Sequence, residues 1–275
     1  MTHEIRKDAD LGRLLWLSNG KSELAVTIDI GIRIVHLSCC GMNNLFYRQP
    51  SDLSDGIFRD HGWRLIGGHR FWIAPETEES YWADNAPVEF TLSENGVTIT
   101  QQVDPWLGIQ KAIQLEFLPN DTILVTHMAT NCSEFDISGS LWGINTLAGG
   151  TGEIEFNGSG KYSPTRTVTL WRQTNLADPR LEFSENLVHV SHQRLSNYFK
   201  IGVFSASGRI IHRNFDQVFE IQTQPISMNQ CADGGVNVEV YMNRNFMELE
   251  TLGPLTTISP GETANVSEIW HIQRS

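Results

Sequence analysis

The sequence predicts an all-β protein, a large antiparallel β-sandwich or a barrel, and three observations carry that prediction. Apolar residues recur at every second position in many short runs, as strands require when one face meets a core and the other meets solvent. Dipeptides suited to tight reversals separate those runs. No helix-length window shows an apolar stripe of helical period with a cap at each end, so helices are expected to be few and short.

In chain order, Leu24, Val26, Ile28 and Ile30 share the first such face. Val97, Ile99 and Val103 form the next, behind Asn95-Gly96, and Ile109, Ile113, Leu115 and Phe117 follow before the reversal at Pro119-Asn120-Asp121. Val236, Val238 and Val240 make a late run behind Gly234-Gly235. Asn19-Gly20, Asn157-Gly158 and Ser207-Gly208 can supply the positive φ angles that hairpins demand, and Pro260-Gly261-Glu262 can serve a slightly longer reversal. No repeat of fixed period is visible, which weighs against a propeller. With 275 residues and no linker-like composition break, one domain spanning residues 1–275 is expected.

The formal net charge is −12, with acidic and basic residues interspersed, which argues against nucleic acid and anionic membrane as partners. Cys39, Cys40, Cys132 and Cys231 lack the paired spacing of a zinc site or a disulfide framework, so a reduced, cytoplasmic setting is expected. The segment from Met1 to Asp8 carries charge where a signal peptide needs an apolar core, and no apolar run reaches membrane-spanning length. Nucleotide-binding and metalloprotease motifs are absent, and neither cofactor nor metal is expected. His189 and His192 would sit on opposite faces of a strand, which does not favour joint metal ligation. Oligomeric state leaves no trace in the sequence.

One stretch stands out chemically. Gly67-Gly68-His69-Arg70-Phe71-Trp72-Ile73-Ala74-Pro75-Glu76 combines an uncovered backbone, a planar donor fork, an aromatic platform and a titratable pair. Arg70 suits the clamping of two sugar oxygens, a carboxylate or a phosphate. Trp72 suits stacking on the apolar face of a sugar. Glu76 suits either the site or the turn after Pro75. A second constellation lies near the C-terminus: in a strand over 246–250, Glu248 and Glu250 share a face with Phe246, about 7 Å apart. Two such carboxylates fit acid/base work or the binding of hydroxyls.

Leu249-Glu250-Thr251 followed by Ser259-Pro260-Gly261-Glu262 resembles the C-terminal signature of the galactose mutarotase-like superfamily, which includes the aldose 1-epimerases. Leu24 to Ile34 and Gly41-Met42-Asn43-Asn44-Leu45 resemble its opening hairpin, and Gly67 to Glu76 is similar to a stretch of an uncharacterised family placed there. The resemblance implies a supersandwich of antiparallel sheets with a sugar groove across one face. It places Glu250 as general base on the anomeric hydroxyl, with Glu248 beside it. The mutarotases' acid, a histidine, would fall in the stretch Ser140 to Thr146, where this sequence carries Trp142, with Asn145 beyond it. Trp142 suits stacking and Asn145 a hydroxyl contact, so the acid must come from elsewhere. Among His69, His127 and His212, His69 is the expected acid because Arg70, Trp72 and Glu76 accompany it. The expected ligand is a sugar or sugar-derived small molecule. Three functions follow from the resemblance: an aldose 1-epimerase-like isomerase, a sugar-binding or sensing module without catalysis, and a relative of polysaccharide lyases or hydrolases. The lack of a helical companion domain weighs against the third.

Overall fold

The computed structural model describes residues 1–50, 62–158, 162 and 165–275. Two antiparallel sheets face each other. The first runs, in spatial order, through Thr2–Asp8, Gly12–Ser18, Ser22–Thr27, Ile34–Cys39, Gly68–Ala74, Ile137–Leu147, Met247–Leu252, Val238–Met242, Phe199–Val203 and Val168–Leu170. Thr256–Ile258 pairs with the far end of Ile137–Leu147. The second runs through Leu181–Phe183, Leu187–Ser191, Thr151–Glu155, Arg209–Asn214, Gln217–Thr223, Thr263–Arg274, Thr122–Asn131, Ile109–Phe117, Gly96–Asp104 and Glu89–Leu92. Helix among the described residues is confined to two short 3-10 turns, Glu78–Tyr81 and Met228–Gln230. The architecture is therefore a sandwich and not a barrel.

Alternation explains why these segments pair as they do. Leu24, Val26, Met247 and Leu249 of the first sheet meet Ile113, Leu115, Phe219 and Trp270 of the second in one apolar cluster. Trp270 sits at its centre, edge-on to Phe219 at 5.3 Å and to Phe46 at 6.0 Å between ring centroids. Such edge-to-face pairs add to what area burial alone supplies. The expected faces fail at two residues. Ile30 lies beyond the end of the Ser22–Thr27 strand and packs with Leu14 and Ala25 instead of joining Leu24, Val26 and Ile28. Val103 was expected to share a face with Val97 and Ile99, yet it is 40% exposed. The register between Gly96–Asp104 and Ile109–Phe117 shifts between Thr100 and Val103, and a one-residue slip carries a side chain to the other face.

Gly67 and Gly68 set the phase of the strand that matters most for function. Both have positive φ, +85° and +71°, and a Cβ on either would lie 2.2 Å from the Tyr47 carbonyl oxygen or 2.3 Å from that of Ile34. Glycine alone lets the chain enter the Gly68–Ala74 strand this close to its neighbours. Among the described residues no helix is long and apolar enough to cross a membrane, and all four cysteines are free.

Candidate functional site

Neighbouring residues of a strand point to opposite faces, so the Gly68–Ala74 strand sends Arg70 and Trp72 one way and His69 and Phe71 the other. Register carries this division across the sheet. Trp72 lies opposite Trp142 and Arg70 opposite Ile144. Ile144 in turn faces Glu250, and Thr146 faces Glu248. Glu250 pairs with Glu239 and Glu248 with Tyr241, and Tyr241 lies opposite Lys200. All of these occupy the face turned away from the apolar core. There, with Thr146 and Glu239 lying just behind, the others line a cavity of about 400 Å³, walled by Arg70, Trp72, Trp142, Lys200, Glu248 and Glu250. Trp63 and Tyr81 close its side: Tyr81 stands edge-on to Trp63 and Trp72 at 5.1 and 5.0 Å, and Trp72 stands edge-on to Trp142 at 5.6 Å.

The charges in this cavity form two linked groups. Arg70 Nη1 donates to Glu248 Oε1 at 3.2 Å and to the Thr146 hydroxyl at 3.1 Å, and its guanidinium lies 4.7 Å from the Trp72 ring centroid. The Thr146 hydroxyl donates to the same Glu248 oxygen at 2.7 Å. In the second group Lys200 Nζ is 2.7 Å from Glu239 Oε2 and 3.9 Å from Glu250 Oε2, and it lies 4.8 Å from the rings of both Trp142 and Trp171. The Trp142 indole N–H donates to Glu250 Oε2 at 2.8 Å. Tyr81 donates its hydroxyl proton to Glu76.

Burial pushes Glu250 up to about 7; Lys200 pulls the other way and Glu248 reinforces the rise. Burial and the Glu250 charge together hold Glu239 well above the carboxylate range. For Lys200 burial acts downward, but Glu250 and Glu239 outweigh it, and the ammonium is held more firmly charged than a free lysine. The cavity thus contains a carboxylate poised near neutral pH beside a fixed cation. Burying three ionisable groups together opposes folding unless function repays it, and such groupings concentrate at sites of chemistry.

The predicted site residues divide accordingly. Arg70, Trp72, Glu76, Trp142, Glu248 and Glu250 come together around the cavity. His69 and Asn145 do not. Both project into the space between the sheets: His69 Nδ1 is 3.0 Å from Asn145 Oδ1, and Asn145 donates to the Leu249 carbonyl oxygen at 3.1 Å. His69 Nε2 meets His127 Nε2 at 2.7 Å, a contact that one shared proton satisfies. His69 is fully buried and held well below the ordinary imidazole value, chiefly by that burial. It stands on the far side of the sheet from Glu250, so the acid role expected for it is withdrawn. Arg70 lines the cavity and engages Glu248 and Thr146 through Nη1, while its Nε has no hydrogen-bond partner among the described residues.

Sequence reasoning missed Lys200, Glu239, Tyr81 and Trp63. A signal for the first two was present. Lys200 stands alone among Phe199, Ile201 and Val203, and Glu239 between Val238 and Val240, so both are ionisable residues in strands that are otherwise buried. Trp171 is half-buried and lines a neighbouring cavity.

His212 is buried with Nε2 at 2.7 Å from the Gly149 carbonyl oxygen, and burial lowers its pKa to about 4. The unfolded chain, with an ordinary imidazole, binds a proton below about pH 6.5 that the folded chain refuses. Stability from this residue is therefore complete above pH 6.5 and is lost as pH falls toward 4. Urea unfolding at pH 7.5 and pH 5 should show the wild type weakening with acid more than His212→Gln, and equal pH dependence in the two would remove His212 as the cause.

A scan against protein-family models returned no match, and neither did a search of curated proteins. Solved structures with this fold are numerous. A galactose mutarotase-like protein from Lactobacillus casei superposes with a TM-score of 0.62 at 11% identity, over 94% of this chain and 100% of that one. A galactose mutarotase related enzyme from Lactobacillus acidophilus gives 0.60 at 8% identity, over 94% and 97%. The chain has the galactose mutarotase-like fold, as the motif resemblance implied. At such identities the likeness is one of fold, and the site must speak for function.

Proposed function

We propose that the protein binds a sugar or sugar-derived small molecule in the cavity over Trp72, Trp142 and Glu250 and epimerises it at the anomeric carbon. The observation that carries this reading is Glu250: a buried carboxylate with a pKa of about 7, fixed by the Trp142 indole and set beside the Lys200 ammonium. Aromatic walls with a few charged donors and acceptors suit a polar ring with apolar faces. Ionised Glu250 takes the proton from the anomeric hydroxyl as the bond from C1 to the ring oxygen breaks. Lys200 donates a hydrogen bond, and then its proton, to that departing oxygen. The open-chain aldehyde rotates about C1–C2, and the two transfers run in reverse on the other face. The proton leaves one oxygen of C1 and another arrives at the ring oxygen on the same carbon, so two groups 3.9 Å apart on one wall can reach both.

A second reading, a binding module without catalysis, is favoured by one observation: Lys200 holds its proton more tightly than a free lysine. Polarimetry separates the two. Mutarotation of freshly dissolved α-aldoses should be accelerated by wild type, and Lys200→Met should lower that acceleration about a hundredfold. Sugar binding by calorimetry with no acceleration would establish the binding module, and unchanged rates in the lysine variant would remove Lys200 from the reaction.

A further inference from the structure

A second cavity of about 450 Å³ opens beside the first. The two share Glu76, Tyr81, Trp142 and Lys200, so they meet along one boundary. Beyond that boundary lie Trp171, Thr77, Glu78 and Asp233. Lys200 stands at the junction itself, with its Nζ equally far, 4.8 Å, from Trp142 on one side and Trp171 on the other.

We propose that the ligand is an aldose extended at C6 by a second, uncharged sugar ring, a (1→6)-linked disaccharide unit, with the reducing ring over Glu250 and the second ring against Trp171. This rests on the reading of Glu250 as base and Lys200 as donor to the ring oxygen. Given that reading, orientation follows from the covalent structure of a pyranose. The ring oxygen is bonded to C1 and C5, and C5 carries C6. When Lys200 holds the ring oxygen and Glu250 holds the anomeric hydroxyl, the substituent nearest the Lys200 boundary is therefore the one on C6. A group on the 4-hydroxyl would leave from the opposite side of the ring.

The second cavity also constrains the chemistry of that substituent. Trp171, half-buried, offers an aromatic wall of the kind sugar rings stack upon. Glu76 and Glu78 are exposed and Asp233 is partly so, which makes them available acceptors for hydroxyl groups. The only cation lining this cavity, among the described residues, is Lys200, which is shared with the first cavity and in this reading is committed there to Glu239 and the ring oxygen. Three carboxylates with no free positive charge oppose a phosphate or carboxylate at C6 and leave a neutral glycosyl group as the fitting occupant.

Calorimetry with a matched set of sugars tests this on the full chain. Isomaltose, melibiose and gentiobiose, all (1→6)-linked, are expected to bind about tenfold more tightly than glucose or galactose. Maltose and lactose, (1→4)-linked, should bind no better than the monosaccharides, and glucose 6-phosphate should bind more weakly. The double variant Glu78→Ala with Asp233→Gly should erase the (1→6) advantage while leaving monosaccharide affinity within about twofold. Glycine suits position 233, where φ is +48°. Equal binding of (1→4) and (1→6) disaccharides, monosaccharides that bind as tightly as either, or tighter binding of the 6-phosphate would each overturn the proposal while leaving the epimerase reading intact. Failure of every sugar to bind would overturn that reading itself.

Discussion

Glu250→Gln is expected to abolish catalysed mutarotation and, at the same time, to make the folded protein more stable at pH 8. The first effect follows from the loss of a general base, commonly about 10²–10⁴ in rate. The second follows from the direction of its pKa. A carboxylate raised from the ordinary range to about 7 binds a proton more readily folded than unfolded. Its contribution favours folding below about pH 4.5 and is lost as pH rises through 7, because the buried charge must then be tolerated. At pH 8 the displacement corresponds to roughly 3 kcal/mol of strain. Glutamine keeps an acceptor for the Trp142 N–H, leaves Lys200 its contact with Glu239, and removes the Glu250 charge that helps to raise Glu239. Urea midpoints for the two proteins should therefore separate at pH 8 and converge near pH 4.5. A variant that is less stable than wild type at pH 8 would mean that Lys200 and Trp142 welcome the ionised carboxylate, and Glu250 would then be a structural ion-pair member instead of a poised base.

How much of this was legible in the sequence depended on whether period two was applied throughout. It placed Glu248 and Glu250 together on one face, where the structure has them. The same rule, applied to Gly67 through Glu76, separates His69 from Arg70 and Trp72 by one step. The crowding of suggestive side chains in that stretch concealed the division. The strands themselves were readable because turn glycines and alternating valines and isoleucines are local signals. Their spatial order was not, since the partners of the Ile137–Leu147 strand come from residues 68–74 on one side and 247–252 on the other. Lys200 became a site residue only through that order. A lone lysine in an apolar run says that its charge must be met, and only the sheet says that Glu239 and Glu250 meet it.

A second buried glutamate, on the other side of the same sheet, should respond in the opposite sense. Glu268 projects from Thr263–Arg274 into the space between the sheets, where it accepts the hydroxyl of Thr251 and, at 2.6 Å, the indole N–H of Trp270. It thereby ties the second sheet to the Met247–Leu252 strand that carries Glu250. Its fit is close enough that a Cβ at Gly143 would come within 2.6 Å of Glu268 Oε1. Glu268→Ala would leave both buried donors without their acceptor and open a cavity among Trp270, His127 and Gly143. An orphaned buried donor costs about 1–3 kcal/mol, and the cavity adds to that. The expected destabilisation is about 3–5 kcal/mol, a large share of what holds an ordinary domain folded. Glu268→Gln should cost less, because one amide oxygen still accepts while the amide nitrogen confronts the other donor. Chemical denaturation of the two variants beside Glu250→Gln provides the comparison. The contrast follows from hydrogen bonding: both carboxylates are buried, but Glu268 has two donors directed at it, whereas Glu250 has one, together with Glu248 and Glu239 as like-charged neighbours. Loss of stability in Glu268→Ala that is no greater than in a surface substitution would show that the interior polar network contributes nothing to holding the sheets together.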